Sequence, residues 1–293
     1  MTPLEPALSV RLEALRDTLR AMRTTVIAFS GGVDSTFLLR AATSVPELRY
    51  VAVTTASPTN TAAEIDEARD FACELRARHF VVPVDELDTP GYAENPPDRC
   101  FLCKQTLYPV CFRIAAAEGL AGVADGVNSD DLRDYRPGLR AAAEMGVRHP
   151  LVEAGLGKAD IRALSAWYGL RTADKPASPC LSSRFPYGTR ITHEGLAQVA
   201  RAEEAVRALG LTELRVRFYG DAARVEVGAA DHARLADAAL CRAIEAGVRS
   251  AGFARVEIAS EPLRSGSLND VLRGASAFTH REAGAPSRGP ADE

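Results

Sequence analysis

Three cysteines sit in stretches with no regular apolar period. Cys180 lies in "DKPASPCLSSRFPYG", between two prolines and ahead of two serines, an arginine and a Pro-Tyr-Gly turn. Cys100 and Cys103 stand in "NPPDRCFLCKQTLY", just ahead of an expected helix. A CxxC pair can share a metal, act as a redox dithiol or lend thiolates to an iron–sulfur cluster. A four-cysteine zinc site needs a second such pair, and the chain has none. Thioredoxin-like exchange is disfavoured, because the pair does not open the first βα unit. With Cys180 as a third thiolate, one iron of a [4Fe–4S] cube would lack a protein ligand and could hold an exogenous sulfide. Spacing alone leaves all of these uses open, plain packing included. Cys73, Cys111 and Cys241 fall on apolar faces of helical patterns and read as core residues.

The second chemical signal is "VIAFSGGVDSTFLL". An apolar strand runs into Ser30-Gly31-Gly32-Val33-Asp34-Ser35, and an apolar-periodic helix follows at once. The glycines allow a tight turn that aims backbone N–H groups at an anion. The helix N-terminus adds partial positive charge, and the two serines add hydroxyl donors. No lysine follows the glycines, so this is not a Walker A loop. The segment resembles the PP-loop of ATP pyrophosphatases, which cleave ATP to AMP and pyrophosphate. That resemblance implies a loop that holds pyrophosphate, with Asp34 close to Mg2+. Magnesium suits such a site because it binds through few carboxylates plus phosphate oxygens.

In "ELRVRFYG", Arg215 and Arg217 are two apart on an expected strand and so share a face. Two adjacent guanidiniums make a phosphate clamp; the bland alternative is a solvated strand face. The five histidines show no metal-binding spacing.

The elements that must position these groups follow from apolar periodicity. From Thr24 to about Leu170, strands "TTVIAFS", "RYVAVTTA", "HFVVPVD" and "GVADGV" alternate with helical patterns over Ser35–Ser44, Thr61–Arg78, Lys104–Glu118 and Lys158–Tyr168. Short apolar strands separated by helices predict an α/β fold with a doubly wound parallel sheet. After Gly188 come a helix capped by Thr192, two strands, a long helix over Asp231–Arg249 and a last strand "ARVEIAS". This is a small α-β-β-α-β unit. The expected division is a nucleotide domain over 1–185, the small unit over 186–272 and a disordered tail over 273–293.

A chain of 293 residues, 46% hydrophobic and 25% charged, can bury a full core. Its formal net charge of −4 argues against a nucleic-acid coat. No apolar run is long enough to span a bilayer, and the N-terminus reads as an amphipathic helix, not a signal peptide. A cytoplasmic location, where disulfides are rare, is expected.

Three further segments carry a more specific likeness: "DGVNSDDLRDYRPGLRAAAEMGVRHPL", the Cys180 stretch continued through "TRIT", and "EPLRSGSLND". With the PP-loop, they resemble the LarE family of PP-loop sulfur transferases, up to about residue 272. That family helps to make the nickel-pincer nucleotide cofactor. It activates carboxylates of a pyridinium mononucleotide with ATP, then converts each to a thiocarboxylate. Some members give up the sulfur of the cysteine matching Cys180. Others add cysteines matching Cys100 and Cys103 and hold a [4Fe–4S] cluster through all three, and this sequence has the full set. The resemblance also makes Asn128, Asp131 and Arg136 candidates for the nucleotide or substrate pocket. It assigns the substrate phosphate to Arg215 and Arg217, and places Glu203 and Glu226 at acidic, possible metal-binding positions near the site. Ser183 and Arg184 would steady the acyl-adenylate or its leaving AMP. The resemblance implies a homo-oligomer, with a hexamer among its forms, and names no sulfide donor.

Two other enzyme classes compete. A tRNA thiolase shares the loop but wants a basic, aromatic RNA surface that this acidic chain lacks. An ammonia-using amidotransferase or ligase needs no three loop cysteines. A non-catalytic nucleotide or iron–sulfur sensor is the third alternative.

Overall fold

The computed structural model describes residues 3–133, 137–264 and 266–269. Arg136 and the 273–293 tail lie outside the described residues. The chain opens with helix α1 (Pro6–Met22), strand β1 (Thr24–Ala28), α2 (Val33–Ala42), β2 (Arg49–Ala56), α3 (Ala62–Glu74) and β3 (His79–Pro83). Next come α4 (Arg99–Glu118), β4 (Val123–Ala124), α5 (Gly138–Met145), α6 (Pro150–Glu153) and α7 (Lys158–Trp167). These strands form a parallel sheet in the order β3-β2-β1-β4.

Alternation along the strands divides the core into two layers. Ile27 and Ala52 face α1, α2, α3 and α7, while Val26, Ala28, Val51 and Val53 face α4 and α5. The strands are therefore apolar on both faces, as a sheet covered by helices requires. Strand order reverses between β1 and β4, and the loops leaving their C-terminal ends open a crevice there.

The second sheet, β5-β6-β7, follows helix α8 (His193–Arg207). Strands β5 (Leu214–Tyr219) and β6 (Ala222–Val227) are antiparallel, and β7 (Arg255–Ile258) joins β6 in parallel after α9 (Ala229–His232) and α10 (Ala238–Ser250). Thr192 caps α8 by accepting the Gly195 N–H at 3.0 Å. The second core also takes in Tyr92, Leu181 and Phe185, from ahead of residue 186.

Several expectations need correction. The CxxC pair does not precede its helix: α4 begins at Arg99, so Cys100 and Cys103 are its second and fifth residues. The expected helix over Asp231–Arg249 is broken, because Asp237 accepts the Ala239 N–H at 2.8 Å and starts α10 afresh. Helix α3 stops at Glu74, since Arg76 adopts a left-handed φ of 52°. Cys73 is exposed and Cys241 half-buried, so of the three cysteines expected in the core only Cys111 is fully there. Burial, then the nearby Asp125, pushes the Cys111 thiol up to about 12.

Candidate active site

The Ser30–Ser35 turn connects β1 to α2 beside that crevice. Ser30 and Ser35 hydroxyls lie 3.1 Å apart, the Ser35 hydroxyl accepts the Ser30 N–H, and the Ser30 hydroxyl accepts the Gly32 N–H at 3.3 Å. Gly31 has a φ of 69° and packs so closely on α3 that a Cβ would meet Ala68 at 3.1 Å. Across the crevice, a Cβ on Gly126 would stand 2.9 Å from the Ser35 backbone nitrogen. Small residues thus let the ends of β1 and β4 close around a helix N-terminus, an arrangement that suits a phosphate. Asp34 sits half-buried on the first turn of α2.

The Cys180 segment lies against this loop. The Lys175 ammonium donates to the Gly31 carbonyl at 3.2 Å and pairs with Glu67. Ser178 donates to Glu64 at 2.6 Å, and the Leu181 N–H donates to the Thr59 carbonyl at 2.8 Å. Arg184, buried, donates to the carbonyls of Pro179 and Cys180 and to the Ser183 hydroxyl. Its remaining donors go to Glu203, at 2.7 and 3.0 Å. Arg184 was expected to touch the acyl-adenylate or AMP. Every one of its nitrogens instead has a protein acceptor, and it fixes the backbone that carries Cys180.

The other two cysteines are stitched to the same place. Arg99 donates to Asn95 and to the Ser182 carbonyl at 3.0 Å, and Tyr92 and Ser182 hydroxyls meet at 2.9 Å. Asn95, at a left-handed φ of 56°, donates to Phe185 and Pro186 carbonyls. Burial alone would lower the Arg99 guanidinium, yet Cys180 and Cys100, with Tyr92 and Tyr187, hold it above its ordinary value. Burial, then Glu86 and Cys180, pushes the Cys103 thiol far up. Cys103 lies 3.9 Å from the buried Glu86 carboxylate. No disulfide joins any of the six cysteines. Among the described residues, no three His, Cys, Asp or Glu side chains gather at metal-binding distance.

Arg215 and Arg217 do share a face of β5, but they are not equivalent. Arg217, 2% exposed, spends its nitrogens on Glu226, the Ser183 carbonyl at 2.8 Å and the Ser267 hydroxyl at 3.0 Å. Arg215, 6% exposed, makes no hydrogen bond or ion pair among the described residues. Burial, then Arg217 and Arg184, pulls its guanidinium down to about 10. Glu226 and Glu203 act on its charge without a hydrogen bond, so its donors are open to an anion. Glu203 is fully buried and also accepts from Arg207 at 2.8 Å and the Val216 N–H at 3.0 Å; with Glu226 it serves arginines.

The segment after β4 is largely engaged in its own folding. The Asn128 side-chain carbonyl accepts the Asp130 and Asp131 N–H groups, and its amide nitrogen has no partner among the described residues. Asp131 reaches Lys158 at 3.2 Å. Sequence reading missed Lys175 and Arg99. The first lies 144 residues beyond its partner in the loop, and spacing carries no signal for such a contact.

No family model matches the chain. It is 41% identical to an uncharacterized protein of Synechocystis sp., over 90% of this chain and 99% of the relative. It is 39% identical to the pyridinium-3,5-bisthiocarboxylic acid mononucleotide synthase of Lactiplantibacillus plantarum, over 93% of this chain and 98% of the relative. An uncharacterized protein of Methanocaldococcus jannaschii is 29% identical over 69% of this chain and 77% of its own.

Proposed function

Since the chain belongs to the LarE family of ATP-dependent sulfur transferases, we propose that it converts carboxylates of a pyridinium mononucleotide to thiocarboxylates. The observation that carries this reading is the contact between the Cys180 segment and the phosphate loop, through Lys175 and Gly31. A nucleotide on Ser30–Ser35 would have its α-phosphate within the crevice, next to the segment that presents sulfur.

In the first step a substrate carboxylate oxygen bonds to the α-phosphorus, and the bond to the bridging oxygen breaks. The electron pair leaves on pyrophosphate, which the loop N–H groups and the α2 dipole stabilise. In the second step sulfur attacks the acyl carbon of the adenylate, and AMP leaves with the electrons of the carbon–oxygen bond. Arg184 holds the Cys180 backbone for that attack. Arg215, which makes no hydrogen bond among the described residues, binds the substrate phosphate.

Mg2+ needs only one or two carboxylates beside phosphate oxygens, and Asp34 at the loop fits that need. It would neutralise part of the charge on the leaving pyrophosphate. For an iron–sulfur cluster, the donor set fits by chemistry: Cys180 and Cys100 both act on the buried Arg99 guanidinium, and Cys103 is close enough to both thiols to feel their charge. Cys100, Cys103 and Cys180 would hold it, and it would supply one iron open to sulfide.

The alternative keeps Cys180 as the sulfur itself. There the Cys180 thiolate displaces AMP, and the Cβ–Sγ bond then breaks as the Cα proton is lost, which leaves dehydroalanine. The membrane and assembly questions are simpler. Among the described residues no helix is long and apolar enough to cross a membrane, and a homo-oligomer is checked by light scattering.

The test is pyrophosphate release that depends on the mononucleotide, with an anaerobic visible spectrum and iron content for wild type and Cys100→Ala. Release with AMP and a thiocarboxylate product supports the reading, and no release from competent protein refutes it. A colourless, iron-free protein that transfers one sulfur and loses it from Cys180 replaces the cluster with the sacrificial route.

A further inference from the structure

The phosphate loop lacks a lysine of its own, yet an ammonium is brought to it from far along the chain. The Lys175 Nζ stands 3.2 Å from the Gly31 carbonyl, which lies between Ser30 and Gly32 in the loop. Its other partner is Glu67 on α3, and the Phe71 ring centroid is 5.8 Å away. The backbone that carries it is held independently of the side chain. Arg162 on α7 donates to the Ala173 carbonyl at 2.6 Å and to the Lys175 carbonyl at 2.8 Å. The side chain is therefore delivered to the loop by a fixed backbone, and its own ties are to one carbonyl and one carboxylate that is 38% exposed.

We infer that Lys175 is a catalytic residue for the first half-reaction, the cation that receives the β- and γ-phosphates of the nucleotide as pyrophosphate departs. The inference rests on the reading of Ser30–Ser35 as the nucleotide loop. A triphosphate there places its distal phosphates against the loop N–H groups, a short side-chain rotation from the Lys175 ammonium. The ammonium then exchanges Glu67 for phosphate oxygens that carry more charge. No proton is transferred. As the bond from the α-phosphorus to the bridging oxygen breaks, the electron pair passes to pyrophosphate, and the lysine donates hydrogen bonds to that growing charge. Donors on a leaving anion act more strongly in the transition state than in the ground state, so the lysine raises the rate of bond cleavage more than it tightens nucleotide binding. The lysine of a Walker A loop meets phosphate from within the loop. Here the same chemistry arrives from the segment that ends in Cys180.

The experiment compares full-length wild type, Lys175→Met, Lys175→Arg and Glu67→Gln. It measures single-turnover pyrophosphate formation with ATP and the mononucleotide, and calorimetric binding of AMP and of inorganic pyrophosphate. Lys175→Met is expected to slow pyrophosphate formation by about 100-fold, the usual cost of one donor to a developing anion. Its AMP affinity should stay within about twofold, since AMP has no distal phosphates, while pyrophosphate binding weakens by about tenfold. Lys175→Arg should recover most of the rate, and Glu67→Gln should tighten pyrophosphate binding by removing the competing carboxylate. Lys175→Met that forms pyrophosphate within threefold of wild type overturns the inference. So does a variant that loses AMP and pyrophosphate binding alike, which would make the lysine a strap for the segment. Wild type that forms no pyrophosphate refutes the sulfur-transfer reading instead, and the pyrophosphate-binding comparison still decides the role of Lys175.

Discussion

The Glu203 carboxylate carries four donors with no exposure to water: Arg184 Nε and Nη2, Arg207 Nη2 and the Val216 N–H. Burial alone would raise its pKa, but the Arg184 hydrogen bonds and charge, helped by Arg207 and Val216, hold it below the ordinary value. Such a group stabilises the fold fully above its unfolded pKa, near 4.3, and the contribution disappears as pH falls through the lower folded value. Glu203→Gln should therefore cost about 3–5 kcal/mol at neutral pH, because Arg184 is left buried without its counter-charge. Urea unfolding at a series of pH values checks both points. Below about pH 4.3 the wild-type stability should fall faster than that of the variant, and parallel acid slopes would refute the assignment. The residue types of the site were legible in the sequence, but their partners were not. An arginine beside a cysteine does not announce whether it faces ligand or protein, and Arg184 faces protein. Arg215 and Arg217 were correctly placed on one face, yet only hydrogen bonding separates the engaged guanidinium from the one that makes no hydrogen bond among the described residues. Lys175 gave no sign at all, because a long-range side-chain contact leaves no local pattern.

Apolar periodicity and the glycine loop were enough to predict the βα alternation and the parallel sheet. Where the reading failed, local signals were weak or conflicted. Asp98 is a residue type that favours a helix start and does precede α4, although its side chain makes no cap bond. The alanine-rich run after Asp231 has helical composition throughout, and one aspartate cap divides it. Strand β4 was expected within "GVADGV" and is there, though it is only two residues long. It still matters, because its C-terminal loop closes the crevice at the strand-order reversal. A Cβ on Gly126 would meet the Ser35 nitrogen at 2.9 Å and its Cα at 3.1 Å, both backbone atoms that cannot rotate away. Gly126→Ala should therefore move the start of α2, cost about 1–3 kcal/mol and weaken ATP binding by about tenfold. Gly122, at the other end of β4, has nothing within 4 Å of an added Cβ. Gly122→Ala should leave ATP affinity unaltered. Calorimetric titration of both variants checks this, and equal affinities would disprove a steric role for Gly126.

The core of the second sheet is not built from that sheet and its helices alone. Phe185 is fully buried, stacks on Phe218 of β5 with ring centroids 4.6 Å apart and stands where a Cβ on Gly195 would meet it at 3.1 Å. Tyr92 and Leu181 share that core, and Leu87 and Leu102 pack against it from the first-sheet side of the chain. The Cys180 segment runs directly into Phe185, so a residue that anchors the second core also ends the stretch that carries Cys180. Hydrophobic burial shared in this way should couple the unfolding of both sheets into one cooperative transition. Phe185→Ala removes a large buried ring and should cost about 3–5 kcal/mol. In a chain of this size that loss lowers the melting temperature of the whole transition by about 10 °C. It should also raise the alkylation rate of Cys180 in the folded protein, because the 3-10 turn over Leu181–Arg184 loses its downstream support. Scanning calorimetry with thiol labelling tests the two effects together. A single endotherm that shifts as a unit, with faster Cys180 labelling, is the expected result. Two endotherms with only one displaced would show that the sheets unfold independently, and that Phe185 stabilises one of them without connecting the second core to the cysteine.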